Sequence, residues 1–513
     1  FVLGAVEGSL PGYGGVTGVL TDQERTALRK LDVQLTGGAL DGIRTEFSEI
    51  YGVFCGAEQT VTMSCSAAQP SYVYRRLKEL AGGDEKVQDA LGFAVADGYD
   101  AAGYLAKWNH RQAAADLNLT NQYDAIMSHR HFDLGQISRE NVRKLYGQKL
   151  TMSASQTDRQ AECRLSYFLK YGLKIMERKE ATVDPAEFGT YVHTVLEETA
   201  REVMARGGFH QVSLEDTLSI AKEKSDVYTK EHFGQLDSQR VEYLFRRNMQ
   251  ELDLVIRELW EELNAAQYAP VDFELHFGQD GQMPPIRIPS ESMDAQLQGY
   301  VDRVDAYQVG KANFFRVVDY KTGKKDFDYC DVFNGVGLQM LLYLFALEQE
   351  GEKILGKHPI PAGVQYFPAR VPYVSLDGAG EDEVPDRCKN WKRRGLLLND
   401  ELSLAAMDPE ESMSRLSCTR KKDGTISGDI ADRAQMKMLR QYVFRVLERM
   451  VDDIASGKVE PNPYTRGTSH DACTYCPYGA ICHKDTVEGR RNYKAMTAQR
   501  FWEEIQKEVD THG

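Results

Sequence analysis

Two spacings of apolar residues divide this chain. Where hydrophobic side chains recur every third and fourth position a segment is predicted helical, and where they alternate or run together briefly it is predicted extended. From the N-terminus, Phe1–Pro11 reads as a buried strand entering a glycine-rich loop, residues 40–50 as a helix, Val61–Cys65 as a short strand and Tyr72–Leu80 as a helix. Residues 81–150 read as mostly helical and polar. A new section begins near Met152-Ser153-Ala154-Ser155, and Cys163–Tyr171 has helical periodicity with aromatic weight. Asp184-Pro185-Ala186-Glu187 carries the marks of a helix start: an N-cap acid, proline in the first turn and glutamate three residues after the cap. Phe188, Val192, Val195, Leu196 and Val203 form that helix's core stripe, with His193 and Glu197 together on another face. Long helices with charged faces follow over 215–268, then a strand at Phe273–Phe277.

The next stretch organises the rest. Gly299–Tyr307 and Val317–Lys321 both read as strands, and Gly310-Lys311 offers a two-residue turn between them. Counting back from that turn sets Val309 opposite Ala312 and Asp302 opposite Asp319. Directly opposed Cβ atoms lie about 5 Å apart, and two carboxylates so placed repel unless a cation sits between them. Asp319 and Lys321 share one strand face because side chains alternate. Two acids and a lysine at that spacing suit divalent-metal chemistry. Beyond the hairpin, Leu338–Phe345 is a strongly apolar helix whose polar i,i+4 pair is Gln339 and Tyr343, and Gly363–Pro368 is a further strand. Residues 375–430 are polar and interrupted by glycine, which reads as an insertion, and 432–455 is an amphipathic helix.

Composition narrows the function. The 513 residues are enough for two to four domains, and the formal net charge of −15 does not announce a nucleic-acid binder. Such binding needs local basic ground, for which Lys392-Arg393-Arg394, Arg420-Lys421-Lys422 and Arg490-Arg491 are the candidates. There is no apolar run of membrane-spanning length and no signal-peptide pattern. The start at Phe1, without methionine, suggests a fragment of a longer polypeptide or a processed piece. Nine cysteines, mostly scattered, argue against a disulfide framework. Three of them form the C-x2-C-x5-C run Cys473, Cys476 and Cys482, which is a metal-ligand spacing. The fourth ligand is open between His470, His483 and a distant cysteine, and spacing alone does not separate zinc from an iron–sulfur cluster.

Taken in order, Gly189-x3-His193-x3-Glu197, Gly299-x2-Asp302, Asp319-Tyr320-Lys321-Thr322 and Gln339-x3-Tyr343 resemble the RecB-like branch of the PD-(D/E)XK nucleases. Within it the chain is most similar to the AddB-type (RexB-like) subunits of bacterial AddAB helicase–nucleases, and the resemblance covers essentially its whole length. It implies an α/β protein in two parts: over 1–150 the C-terminal part of an inactivated UvrD-like helicase domain, and over 151–513 a nuclease domain stapled by a [4Fe–4S] cluster on Cys163, Cys473, Cys476 and Cys482. Ile50–Ala57 resembles the late helicase motif that supplies an arginine to ATP. Gly56 stands at the arginine position, and no G-x4-G-K-[ST] occurs, so ATP hydrolysis is not expected of this stretch. The resemblance further implies Mg²⁺, with Mn²⁺ as the alternative, held by His193, Asp302, Asp319 and the Tyr320 carbonyl. Lys321 would orient water or steady charge, Gln339 and Tyr343 would position substrate, and Glu197 would either support the metal ligands from behind or hold a second metal ion. The expected activity is exonucleolytic cleavage of one DNA strand, delivered single-stranded by an AddA-type motor subunit during resection of broken ends in the bacterial cytoplasm, at the nucleoid. Two other readings remain open: a free-standing iron–sulfur exonuclease of the CRISPR-associated kind, which lacks a helicase-like first part, and a catalytically silent scaffold that grips DNA ends.

Overall fold

The computed structural model describes residues 2, 4–12, 20–33, 35, 38–82, 98–128, 136–176, 185–233, 239–371, 391–410, 412–482 and 489–511, with backbone alone for 39–40, 185–187, 233 and 239–250. The chain divides into two compact units, Phe1–Phe132 and Asp133–Gly513. The boundary read from sequence, between residues 150 and 151, falls inside a strand of the second unit.

The first unit is helical: α1 (Asp22–Arg29), α2 (Ala39–Cys55), α3 (Tyr72–Ala81), α4 (Gly98–Lys107), α5 (Arg111–Asp116) and α6 (Thr120–Ser128). Thr21 and Glu24 close a capping box on α1, and Ser71 caps α3. Helices α4–α6 pack around Leu105, Ala106, Ala114 and Tyr123. The two strands expected here reduce to single bridges, Val2 with Met63 and Val6 with Pro70. Gly4 and Gly8 turn the first segment through positive φ of 73° and 83°, which breaks an extended run. Phe1 and Leu3 of that expected strand lie outside the described residues.

The second unit is built on an eight-stranded mixed sheet. Helix α7 (Arg139–Tyr146) precedes β1 (Lys149–Ser153), which runs straight into α8 (Ala154–Glu162) through a capping box of Ser153 and Gln156. Cys163 is extended (φ −166°) and separates α8 from α9 (Arg164–Tyr167), which continues as a π-helical turn over Phe168–Gly172. Three helices follow: α10 (Pro185–Ala205), α11 (Leu214–Phe233) and α12 (Gln239–Ala265). The Asp184 cap and the Glu187 side chain expected at the start of α10 lie outside the described residues. Val192, Val195, Leu196 and Val203 are buried as the periodicity required.

The strands are β2 (Ala269–Phe277), β3 (Ile286–Ile288), β4 (Asp294–Val309) and β5 (Ala312–Lys321); then, after helices α13 (Tyr329–Phe333) and α14 (Gln339–Glu350), β6 (Pro359–Pro368) and β7 (Arg394–Leu398). Helix α15 (Glu401–Met407), β8 (Cys418–Arg420), β9 (Ile426–Gly428) and β10 (Ile430–Ala431) come next. Strand β7 pairs with β6, and β10 with β7, so the stretch read as an insertion supplies two strands of the main sheet. Its glycines explain the misreading: Gly395 sits where a Cβ would lie 1.9 Å from the Val364 carbonyl oxygen, so close strand approach requires glycine in a strand. Helix α16 (Arg433–Ala455), capped by Asp432, leads to a three-stranded sheet of β11 (Tyr464–Arg466), β12 (His470–Asp471) and β13 (Arg491–Tyr493), and α17 (Ala498–Thr511) ends the described fold.

One sheet face meets α10, α11 and α12 through Phe273, Val318, Tyr320 and Phe367. The other meets α14 and α16 through Leu275, Phe277, Val317 and Val364. Strand β4 is longer than its neighbours and is shared between them. On one edge β1 pairs with it as far as Gln298, and β5 pairs only from Arg303. Residues 299–302 are left between these two partners, and the sheet splits there.

Candidate active site

The split is the site. Gly299, Tyr300 and Asp302 line a cleft of about 680 Å³ together with Ser153, Ser155, Gly189, His193, Thr194, Glu197, Glu274, Gln339 and Tyr343. The turn at Gly310-Lys311 sets the β4–β5 register as counted from the sequence, from Val309 opposite Ala312 to Arg303 opposite Val318. Pairing stops one step before Asp302 and Asp319. Asp302 Oδ2 accepts the Tyr320 backbone N–H at 2.7 Å, so the carboxylate takes the place of a strand neighbour.

His193 Nδ1 lies 3.3 Å from Asp302 Oδ2. One ligand atom each of His193, Glu274 and Asp302 all fall within 4.8 Å of one another. Asp319 is buried and paired with Lys321. Burial, then the Asp319 carboxylate, push the Asp302 carboxyl well above its usual range. Burial, then Glu197 and Asp319, raise Glu274. Burial lowers His193, against the pull of Asp319. A cation between the imidazole and these two carboxyls would relieve the repulsion that raises them. The donor set, one nitrogen and several carboxylate oxygens, fits a divalent cation such as Mg²⁺ or Mn²⁺.

Helix α14 closes the cleft. The Tyr343 ring stacks on Phe277 with centroids 5.4 Å apart. Its hydroxyl meets the Gln339 side chain and the Tyr300 backbone, and burial raises its pKa. A Cβ on Gly299 would lie 2.0 Å from the Tyr343 hydroxyl, which explains glycine three residues before Asp302. Glu197 lines the cleft but is held by Arg201 at 2.8 Å.

Sequence reasoning missed Glu274. It sits in β2 with φ +47°, an uncommon conformation for a residue with a side chain. Phe273 accordingly faces one core and Leu275 the other, so plain alternation does not hold there. The signal was an acid in the strand that pairs with β4 beside Asp302.

A scan of family models matches the PD-(D/E)XK nuclease superfamily over residues 151–483, well over half the chain. The chain belongs to that superfamily. Curated relatives, each named as the B subunit of an ATP-dependent helicase/deoxyribonuclease, align along most or nearly all of it. The protein from Clostridium novyi is 28% identical over 99% of this chain and 49% of its own length. The one from Bacillus subtilis is 26% identical over 99% and 48%. The one from Clostridium tetani reaches 30% over 72% of this chain and 33% of its own length. The chain thus spans about half the length of the curated relatives it matches with nearly all of its own.

Within this nuclease domain a second cluster gathers residues from its two ends. Cys163, Cys476 and Cys482 pack against Leu165, Leu169 and Tyr478. Burial raises the Cys473 thiol to about 11, and Cys163 and Cys476 are near enough to add to the shift. His470, one candidate fourth ligand, commits both ring nitrogens elsewhere: Nε2 to Glu162 at 3.2 Å and Nδ1 to Asp331 at 3.6 Å. His483, the other, lies outside the described residues. In each basic run at least one arginine is engaged within the protein. Arg393 is buried against Glu262, and Arg491 donates to the carbonyls of Asn462 and Ala161. Arg420 is tied to Glu401 at 3.0 Å. Among the described residues no helix is long and apolar enough to cross a membrane.

Proposed function

We propose that this chain is the nuclease-bearing part of the second subunit of a bacterial helicase–nuclease, cutting one DNA strand that a motor subunit delivers single-stranded. The observation that carries this is the group of His193, Glu274 and Asp302 at the split of a PD-(D/E)XK sheet, with Asp319 and Lys321 alongside. His193, Glu274, Asp302 and Asp319, with the Tyr320 carbonyl, would hold Mg²⁺, which supplies Lewis acidity and neutralises phosphate charge when bound. Lys321 is suited to steady charge on the phosphate oxygens as the bond breaks. Gln339 and Tyr343 are suited to position the strand in the cleft. The first unit is read as the helicase-like part without ATPase activity. The relatives' names and their alignment through 99% of the chain favour this over a free-standing exonuclease, which would lack such a part.

The reading extends to the cysteines. Cys163, Cys473, Cys476 and Cys482 are proposed to hold a [4Fe–4S] cluster that staples the ends of the nuclease domain. Cys163 shares one small apolar cluster with Cys476 and Cys482, and Cys473 is close enough to Cys163 and Cys476 for their charges to act on it, which supports a single shared group.

The test of the nuclease reading is Mg²⁺-dependent degradation of a single-stranded oligodeoxynucleotide by the native chain and by Asp319→Ala. The native chain is expected to degrade it and the variant to lose nearly all activity; equal rates overturn the assignment. Anaerobically prepared protein is expected to be brown and to contain iron, and a colourless, zinc-loaded sample would replace the cluster by zinc.

A further inference from the structure

The cleft wall carries an aromatic surface with no part in the chemistry above. Tyr300 lies two residues before Asp302 on β4, within the stretch left between β1 and β5. It lines the same cleft as His193, Glu274 and Asp302 and is 52% exposed. Large aromatic residues are normally more buried than this. Its ring is nevertheless held. His276 is its cross-strand partner on β2, and the two rings stack nearly parallel, centroids 4.4 Å apart at 8°. The imidazole is confined in turn by the chain that follows it: a Cβ on Gly278 would lie 2.4 Å from His276 Nε2, and the Met283 N–H closes that turn onto the His276 carbonyl at 3.1 Å. The Tyr300 backbone is fixed by the Tyr343 hydroxyl. The result is an exposed aromatic ring, backed by a second ring and anchored at both main chain and side chain, next to the proposed metal group.

We propose that Tyr300, backed by His276, is a stacking platform for one nucleobase of the single strand, adjacent to the phosphodiester presented to His193, Glu274 and Asp302. The proposal rests on the nuclease reading and adds a base-contacting subsite to it. A rigid ring loses little freedom when a base lies on it, and stacking accepts every base because each has a π-face. It suits an enzyme that must hold a strand of any sequence in register. It also gives the acidic cleft a source of affinity that does not depend on basic side chains.

The experiment measures binding in Ca²⁺, to hold the strand uncut, and cleavage in Mg²⁺, using the full chain. Two probes of equal length are compared, an oligodeoxyadenylate and an abasic strand with the same phosphates. The native chain is expected to bind the base-containing strand about tenfold more tightly. Tyr300→Ala should bring the two affinities together, while Tyr300→Phe and Tyr300→Trp keep the preference. Asp302→Ala should abolish cleavage yet keep the preference, which separates the platform from the catalytic group. Native protein that cuts DNA but binds both probes alike overturns the platform alone, as does Tyr300→Ala with an undiminished preference. Native protein that neither binds nor cuts overturns the nuclease reading and the platform together.

Discussion

Glu274 and Glu197 are the two acids in the cleft whose roles a residue-level argument can separate. Glu274 shares a group with His193 and Asp302, and its carboxyl is raised by burial. Glu197 stands outside that group and is paired with Arg201 at 2.8 Å. Removing the charge of a ligand weakens a metal site directly, whereas an outlying acid with its own partner contributes a weaker, screened field. Glu274→Gln is therefore expected to raise the Mg²⁺ concentration for half-maximal cleavage by roughly tenfold or more, the scale on which even outer partners of a metal site act. Glu197→Gln should shift it several times less. A metal titration of both variants decides the matter, and equal shifts would place Glu197 in the site on the same footing. Only one of these acids was legible in the sequence. Helical spacing puts Glu197 one turn from His193 without any structural knowledge. Glu274 depends on a positive φ that turns one residue of a strand over, and no periodicity reports that.

Elements rather than residues decide how much of the architecture could be read. The β4–β5 hairpin was legible in detail because a turn of two residues fixes every pair after it. Its last step was not, since the Asp302 side chain rather than its backbone meets Tyr320. Arg303, Asp305 and Arg316 are charged positions on strands and suggest a wet face. All three are buried, with Arg303 and Arg316 on Glu262 at 3.0 and 2.8 Å and each on Asp305 as well. Charges that satisfy one another defeat a reading that equates polarity with solvent. The contact of α14 with β4 gives the element-scale prediction. Gly299→Ala places a methyl 2.0 Å from the Tyr343 hydroxyl and 3.1 Å from the ring carbon that bears it. Overpacking of this kind costs about 1–3 kcal/mol, and here it displaces the helix that completes the cleft. Gly299→Ala should lower both the melting temperature and the cleavage rate. Adding Tyr343→Phe removes the atom in closest conflict, so the double variant should melt higher than Gly299→Ala alone. If thermal denaturation shows additive losses, the clash is not between these two groups.

At the scale of the whole nuclease domain, a polar clamp joins its ends. Arg164, next to Cys163, reaches Asp453 and Glu460 at 2.5 Å each, and its backbone N–H meets the Asn462 side chain at 2.8 Å. His470, three residues before Cys473, bridges Glu162 and Asp331, and Asp331 also binds Tyr464 and Arg466. This polar clamp spans the same pair of segments as the proposed cluster but responds to a different variable. Hydrogen bonds to Asp331 and then Glu162 raise His470 to about 9 from 6.5. A histidine whose pKa rises on folding adds stability that is complete below its unfolded pKa and is lost as pH climbs through the folded value. The contribution should therefore be full below about pH 6.5 and disappear through about 9. Its size is of the order of 1–3 kcal/mol, reduced from the full shift because the ring is partly solvated. Native protein and His470→Gln, both kept anaerobic, can be compared by urea denaturation at pH 6 and at pH 9.5. The native chain should be the more stable at pH 6, and the gap should close at the higher pH, where neutral histidine and glutamine carry the same charge. A gap that stays constant with pH would mean that His470 acts by shape alone, and that the two ends of the domain are held without help from its proton.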